Sequence, residues 1–129
     1  MQTTRRTDRG SASVETVASI ATLALFAAVF LQLILVLDAY LTVGHATREG
    51  ARAAALGEGE TGVIYLVRTV AGLDPYEGTI EVTPTDRDPG DLVTVSLEAE
   101  VTKVPVIASI LPTLRVASST TARTEIEPS

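Results

Sequence analysis

The stretch TVASIATLALFAAVFLQLILVL, from Thr16 to Leu37, runs for 22 residues without a charge and is interrupted only by Thr16, Ser19, Thr22 and Gln32. At a rise of about 1.5 Å per residue, a helix of that length spans roughly 33 Å, which matches a hydrocarbon core of about 30 Å. Glu15 and Asp38 bracket it. The competing reading is a buried core helix. A chain of 129 residues offers too little other apolar surface to wrap a helix that is apolar all round. Both phenylalanines, Phe26 and Phe30, lie inside the stretch, leaving Tyr40, Tyr65 and Tyr76 as the aromatic residues elsewhere. The sequence therefore predicts a transmembrane span over 16–37 followed by a small outer domain.

Charge orders the chain around that span. Residues 1 to 10 carry Arg5, Arg6 and Arg9 against Asp8, whereas 7 basic and 13 acidic residues follow from Ala39 onward. The basic flank predicts a cytoplasmic N-terminus, with the acidic remainder on the far side of the inner membrane and Tyr40 as an interfacial anchor. A net charge of −6 argues against nucleic acid, whose binding needs clustered Lys and Arg. With no cysteine, a disulfide framework, a thiol nucleophile and a Cys-ligated zinc are excluded. A cleaved secretory signal would have a shorter apolar region followed by a small-x-small site, and the nearest such site here, at Ala53 to Ala55, lies beyond Arg48 and Glu49. The Arg5-Arg6 pair hints at twin-arginine export, but Thr7-Asp8 follows where an apolar pair is expected.

At the head of the span stands Arg9-Gly10-Ser11-Ala12-Ser13-Val14-Glu15. Gly10 carries no side chain, so its backbone can be approached closely and bent freely, and the basic residues before it hold this end at the cytoplasmic surface. A carboxylate at Glu15 is costly near lipid unless another group compensates it. The plainer reading makes Gly10 part of a flexible tail and Glu15 a first-turn acid favoured by the helix dipole. The junction resembles a type IV prepilin processing site, in which a short basic leader ends in Gly and a Glu stands fifth in the mature chain. The resemblance implies cleavage between Gly10 and Ser11 by a prepilin peptidase. It also implies an assembly role for Glu15, paired with the freed amine of Ser11 on a neighbouring subunit.

Two further segments, Ala46-Thr47-Arg48-Glu49-Gly50-Ala51-Arg52-Ala53-Ala54-Ala55 and Ala122-Arg123-Thr124-Glu125-Ile126-Glu127, resemble the TadE-like minor pilins, or pseudopilins, of tight adherence (Tad) pilus and secretion machinery. The likeness is good over residues 9 to 56 and holds in outline beyond. Thr16 follows Glu15 where that group often has an aromatic residue, and the span lacks an early Pro. The resemblance implies other pilin subunits, Tad inner-membrane assembly proteins and membrane lipid as partners. It also implies passage to a pilus or the cell surface after assembly.

The expected organisation is a leader over 1–10, a long helix over 11–56 beginning near Ala12, and a small extracytoplasmic domain over 57–129. Small residues at helical spacing, Ala46, Gly50 and Ala53 or Ala54, suit close packing on the protein's own sheet, or else on a neighbouring subunit. Gly57 to Gly62 breaks the helix, and its acids and missing Gly-Lys-Ser/Thr ending speak against a phosphate loop. Val63 to Leu73 reads as an amphipathic helix with Ile64, Val67 and Ala71 buried, and Asp74 to Gly78 as a turn. Thr79 to Pro84 is a first strand. Val93 to Val101 alternates with a period of two, giving a second strand with one wet face. Asp88-Pro89-Gly90-Asp91 between them fits a type II turn, and its acids miss the EF-hand spacing. Val106 to Leu111, between Pro105 and Pro112, is expected to cover the sheet edge or to meet a subunit or membrane. Leu114 to Ile126 completes an antiparallel sheet, making the fold class α+β and pilin-like: a long N-terminal helix packed on a small sheet.

Catalysis finds no support in the sequence. His45 is the single histidine and sits four residues from Glu49, a spacing that suits a surface ion pair better than a general base. Neither a metal-ligand pattern nor a cofactor motif is present. Two classes remain: a structural pilin subunit processed at Gly10, and an uncleaved single-pass membrane protein whose outer domain binds an envelope partner.

Overall fold

The computed structural model describes residues 7–74 and 77–125, with side chains from Gly10 onward. Arg5, Arg6, the Pro75-Tyr76 part of the expected turn, and Ile126 and Glu127 lie outside the described residues. Helix α1 runs Thr7–Ala55, 49 residues, and α2 runs Glu60–Ala71. Strands β1 (Thr79–Thr83), β2 (Leu92–Glu100) and β3 (Arg115–Arg123) form one antiparallel sheet in the order β1-β2-β3. The long helix packed on this small sheet is the α+β arrangement expected.

Among the described residues α1 is already helical at Thr7, five residues before Ala12. Gly10 sits in a helical backbone because a single glycine costs only about 1 kcal/mol relative to Ala, too little to stop a helix driven from its apolar side. At the other end the chain turns at Gly57, whose φ of 90° favours glycine. Arg87, from the β1–β2 connection, donates from Nη1 to Ala54 O (3.3 Å) and from Nη2 to Glu58 O (2.6 Å), while Glu125 N–H donates to Ala55 O (2.8 Å). Glu125 thus satisfies a carbonyl that the last helical turn leaves open, while Arg87 adds a second donor to Ala54 O, which also accepts from Gly57 N–H, and places a cation at the negative end of the helix dipole.

Strand β2 is the centre of the core. Val93, Val95, Leu97 and Ala99 are buried on one face, with Glu98 and Glu100 exposed on the other, as the alternation predicts. Val95 pairs with Val82 of β1 and Thr120 of β3. Gly90 has a φ of 94° and Asp91 N–H donates to Asp88 O (3.0 Å), closing the turn between β1 and β2 where it was expected.

The buried face of α1 consists of Val43, Ala46, Thr47, Gly50, Ala51, Ala54 and Ala55. Its own domain covers it, so the small-residue stripe serves intramolecular packing. Val63 and Val67 of α2 are buried against it, and Ile64 and Ala71 pack at the margin. Gly50 stands where α1, α2 and β2 converge: a Cβ there would collide with Val67 Cγ2 and lie 3.2 Å from Val95 Cγ1. Thr47, wholly buried, donates to or shares hydrogen bonds with Gly44 O (3.1 Å) and Ser118 Oγ (3.2 Å), and accepts one from Thr120 Oγ1 (3.2 Å). The inner face of β3 is thus partly polar, and the helix carries a matching hydroxyl.

Two glycines of α1 should respond oppositely to alanine. At Gly44 a Cβ meets nothing within 4 Å, so Gly44→Ala should stabilise by up to about 1 kcal/mol through helix propensity. At Gly50 the same gain is opposed by overpacking of about 1–3 kcal/mol against the stiff, fully buried Val67. Thermal unfolding of the full chain in detergent should show a raised midpoint for Gly44→Ala and a lowered one for Gly50→Ala.

Candidate functional site

Helix α1 is long and apolar enough to cross a membrane. Over the uncharged stretch its large side chains point outward: Leu23 and Phe26 are 70% and 69% exposed. A helix can lie in lipid only if its polar groups are satisfied without water. Three of the four interruptions meet that condition within the helix. Thr16, Ser19 and Thr22 each donate their hydroxyl to the carbonyl four residues back, Ala12 O, Glu15 O and Ala18 O, at 2.8 Å.

Gln32, the fourth, is met by a distant segment. Its Nε2 donates to Thr102 O (3.2 Å), and Val104 N–H donates to its Oε1 (2.8 Å). Residues 101–114 connect β2 to β3, and Val104 and Ile107 are buried against Ala28 of α1, with Leu35 and Leu111 packed beside them. The connection expected over the sheet edge therefore descends along the helix, below the sheet. Two kinds of contact hold it there: the apolar cluster on Ala28, and the one buried amide side chain of Gln32, which pairs with a donor and an acceptor of the connection's backbone at once. No local pattern in the sequence signals this pairing, although an isolated Gln in an apolar helix was the available hint.

The residues singled out at the N-terminal end lie on the first turns of α1. Gly10, Ser11 and Glu15 are all exposed and helical, and no side chain lies within 4 Å of a Cβ built at Gly10. Among the described residues Glu15 makes no ion pair; the ion pairs present there are Arg52–Glu49 (3.9 Å) and Arg115–Glu98 (3.0 Å). The Gly10–Ser11 bond is thus accessible but helical. A protease that binds extended chain would have to unwind about one turn, and Gly10 makes that turn the least costly to open.

His45 is exposed, and Glu49, expected as its partner, pairs with Arg52 instead. Arg52 lies one turn on from Glu49 at i,i+3 and carries a permanent charge, which favours it as the carboxylate's partner. No group of three or more potential metal-ligating side chains occurs among the described residues. The two domain segments singled out by resemblance do meet: Glu125 hydrogen-bonds to Ala55, and Thr124, buried, exchanges backbone hydrogen bonds with the Gly90–Asp91 turn, Gly90 N–H to Thr124 O (2.9 Å) and Thr124 N–H to Asp91 O (2.8 Å). The C-terminal segment therefore locks the outer end of α1 to the domain.

No family model, curated protein or solved structure matches the chain.

Replacing Gln32 by Leu keeps the volume but leaves the Val104 amide and the Thr102 carbonyl without their partner. The loss should be about 1–3 kcal/mol, the cost of an unsatisfied buried group. Hydrogen exchange of the full chain should show the Val104 amide exchanging roughly tenfold faster or more in Gln32→Leu, with the strand amides of β2 little changed.

Proposed function

We propose that this protein is a minor pilin or pseudopilin of the TadE-like kind, a structural subunit of a Tad-type pilus or secretion machinery, held in the inner membrane by α1 with its domain outside. The observation that carries the reading is one of register. Glu15 stands fifth after the Gly10–Ser11 bond, and the uncharged stretch begins at the next residue on the same unbroken helix. An exposed carboxylate at the membrane end of an apolar helix calls for a compensating cation. Cleavage supplies one, the new α-amino group of Ser11, which a neighbouring subunit can present when helices pack side by side. The partners are then a prepilin peptidase, other pilin subunits and Tad inner-membrane assembly proteins.

Processing separates this reading from that of an uncleaved single-pass protein. Coexpression with a Tad-type prepilin peptidase should yield a chain whose N-terminal sequence begins at Ser11, and Gly10→Phe should remain full length. An N-terminus beyond residue 38 would instead mark an ordinary secretory signal.

The charge at Glu15 should matter for assembly and not for cleavage. Glu15→Gln keeps size and hydrogen bonding but removes the charge. It should be cut normally, yet crosslink poorly to partner pilins and lower pilus counts. Normal assembly of Glu15→Gln would reduce Glu15 to a helix-start acid.

A further inference from the structure

The connection from Val104 to Leu114 carries no charge, and Lys103 and Arg115 flank it. Val106 and Ile110 on it are 73% and 76% exposed, whereas Ile107 between them is buried on the helix. Its level along α1 is fixed by Gln32 and Ala28, which lie six and ten residues before Asp38, or about 9 and 15 Å along the axis. A hydrocarbon core of about 30 Å needs roughly 20 helical residues. Counted from Thr16, that length ends near Leu35; counted even from Gly10, it ends near Val29. Either way the level of Ala28 falls inside the core, so the connection cannot stand clear of the bilayer that α1 crosses.

The backbone is prepared for such a place. Gln32 satisfies the Val104 amide and the Thr102 carbonyl; Ile107 donates to Val104 O, and Ile110 and Leu111 both donate to Ile107 O. Pro105 and Pro112 carry no N–H at all. These features reduce the number of backbone donors left facing lipid, which is the main cost of non-helical chain at membrane depth. Lys103 and Arg115, at the two ends, stand where long cationic side chains can reach toward phosphate headgroups, although Arg115 also pairs with Glu98.

We propose that residues Val104 to Leu114 form a wedge inserted in the membrane leaflet on the domain side, with Val106 and Ile110 in contact with acyl chains. The wedge gives the domain a second membrane attachment beside α1 and fixes its height and rotation about the helix. The inference rests on the membrane-spanning reading of α1, and the test below separates the two.

Because the chain has no cysteine, single labels can be placed by Leu23→Cys, Val106→Cys, Ile110→Cys and Tyr65→Cys, all at exposed positions. Each full-length variant carries an environment-sensitive fluorophore and is reconstituted in phosphatidylcholine–phosphatidylglycerol vesicles with or without nitroxide-bearing lipid. The expected result is blue-shifted emission that nitroxide lipid quenches for Leu23→Cys, Val106→Cys and Ile110→Cys, and unshifted, unquenched emission for Tyr65→Cys on α2. Quenching at Leu23→Cys with unquenched, unshifted emission at both loop positions would overturn the wedge and leave the span intact. Absence of quenching at Leu23→Cys as well would overturn both. Blue-shifted but unquenched loop labels, with a shift that grows with the protein-to-lipid ratio, would assign the loop to a second copy of the chain and overturn the lipid contact.

Discussion

One helix has to serve two surroundings, and the rest of the molecule follows from how it divides them. The outer part of α1 must let a sheet and a second helix approach its backbone, so it buries Ala46, Gly50, Ala51 and Ala54 in place of large side chains. The inner part points Leu23, Phe26 and Phe30 outward, where nothing of the domain covers them. Burial of each β-branched or leucine side chain in the domain contributes about 1.5–3 kcal/mol. Most of that apolar volume comes from β2 and α2, because the helix supplies mainly a close-fitting surface. Gly50, wedged against Val67 and Val95, sets the distance at which the layers meet.

The changeover between the two surroundings is gradual. From Ala28 to Val36 one side of α1 is covered by the β2–β3 connection and by the core's margin, while the other side stays open. Gln32 makes this overlap possible. A buried amide is costly unless both its donor and its acceptor are used, and here both are used on the backbone of the connection. The same residue that weakens the apolar character of the span therefore holds the domain down against it. The clamp leaves one face of this part of the helix to the domain and the opposite face open.

The far end of α1 is held by polar contacts. Arg87 and Glu125 take up its last carbonyls, and Thr124 ties the C-terminal segment to the β1–β2 turn. The helix is thus fixed to the domain at three heights: by Gln32 below, by the seam around Gly50 and Thr47, and by its terminal carbonyls above.

The sequence by itself determined what local pattern can encode. The length of the uncharged stretch specifies a helix able to cross a membrane. The alternation from Val93 to Val101 specifies a half-buried strand, and Asp88-Pro89-Gly90-Asp91 specifies the turn before it. The boundaries of β1, α2 and β3 fell within a few residues for the same reason. The register of Gly10, Ser11 and Glu15 is also legible in the chain, because it depends on spacing alone. Tertiary structure decided the pairings between distant residues, whose energies depend on three-dimensional proximity and leave no periodic trace. Sequence spacing offered His45 to Glu49, but the structure gave that carboxylate to Arg52. Small residues on α1 left open whether a sheet or a neighbour would cover them, and only the fit of Val63, Val67 and Val95 around Gly50 showed that the domain does. Gln32 looked like a flaw in the span until the chain brought Thr102 and Val104 to it across 70 and 72 residues. A hydrogen bond of that separation is specified by the whole fold, which places the end of β2 over that turn of the helix.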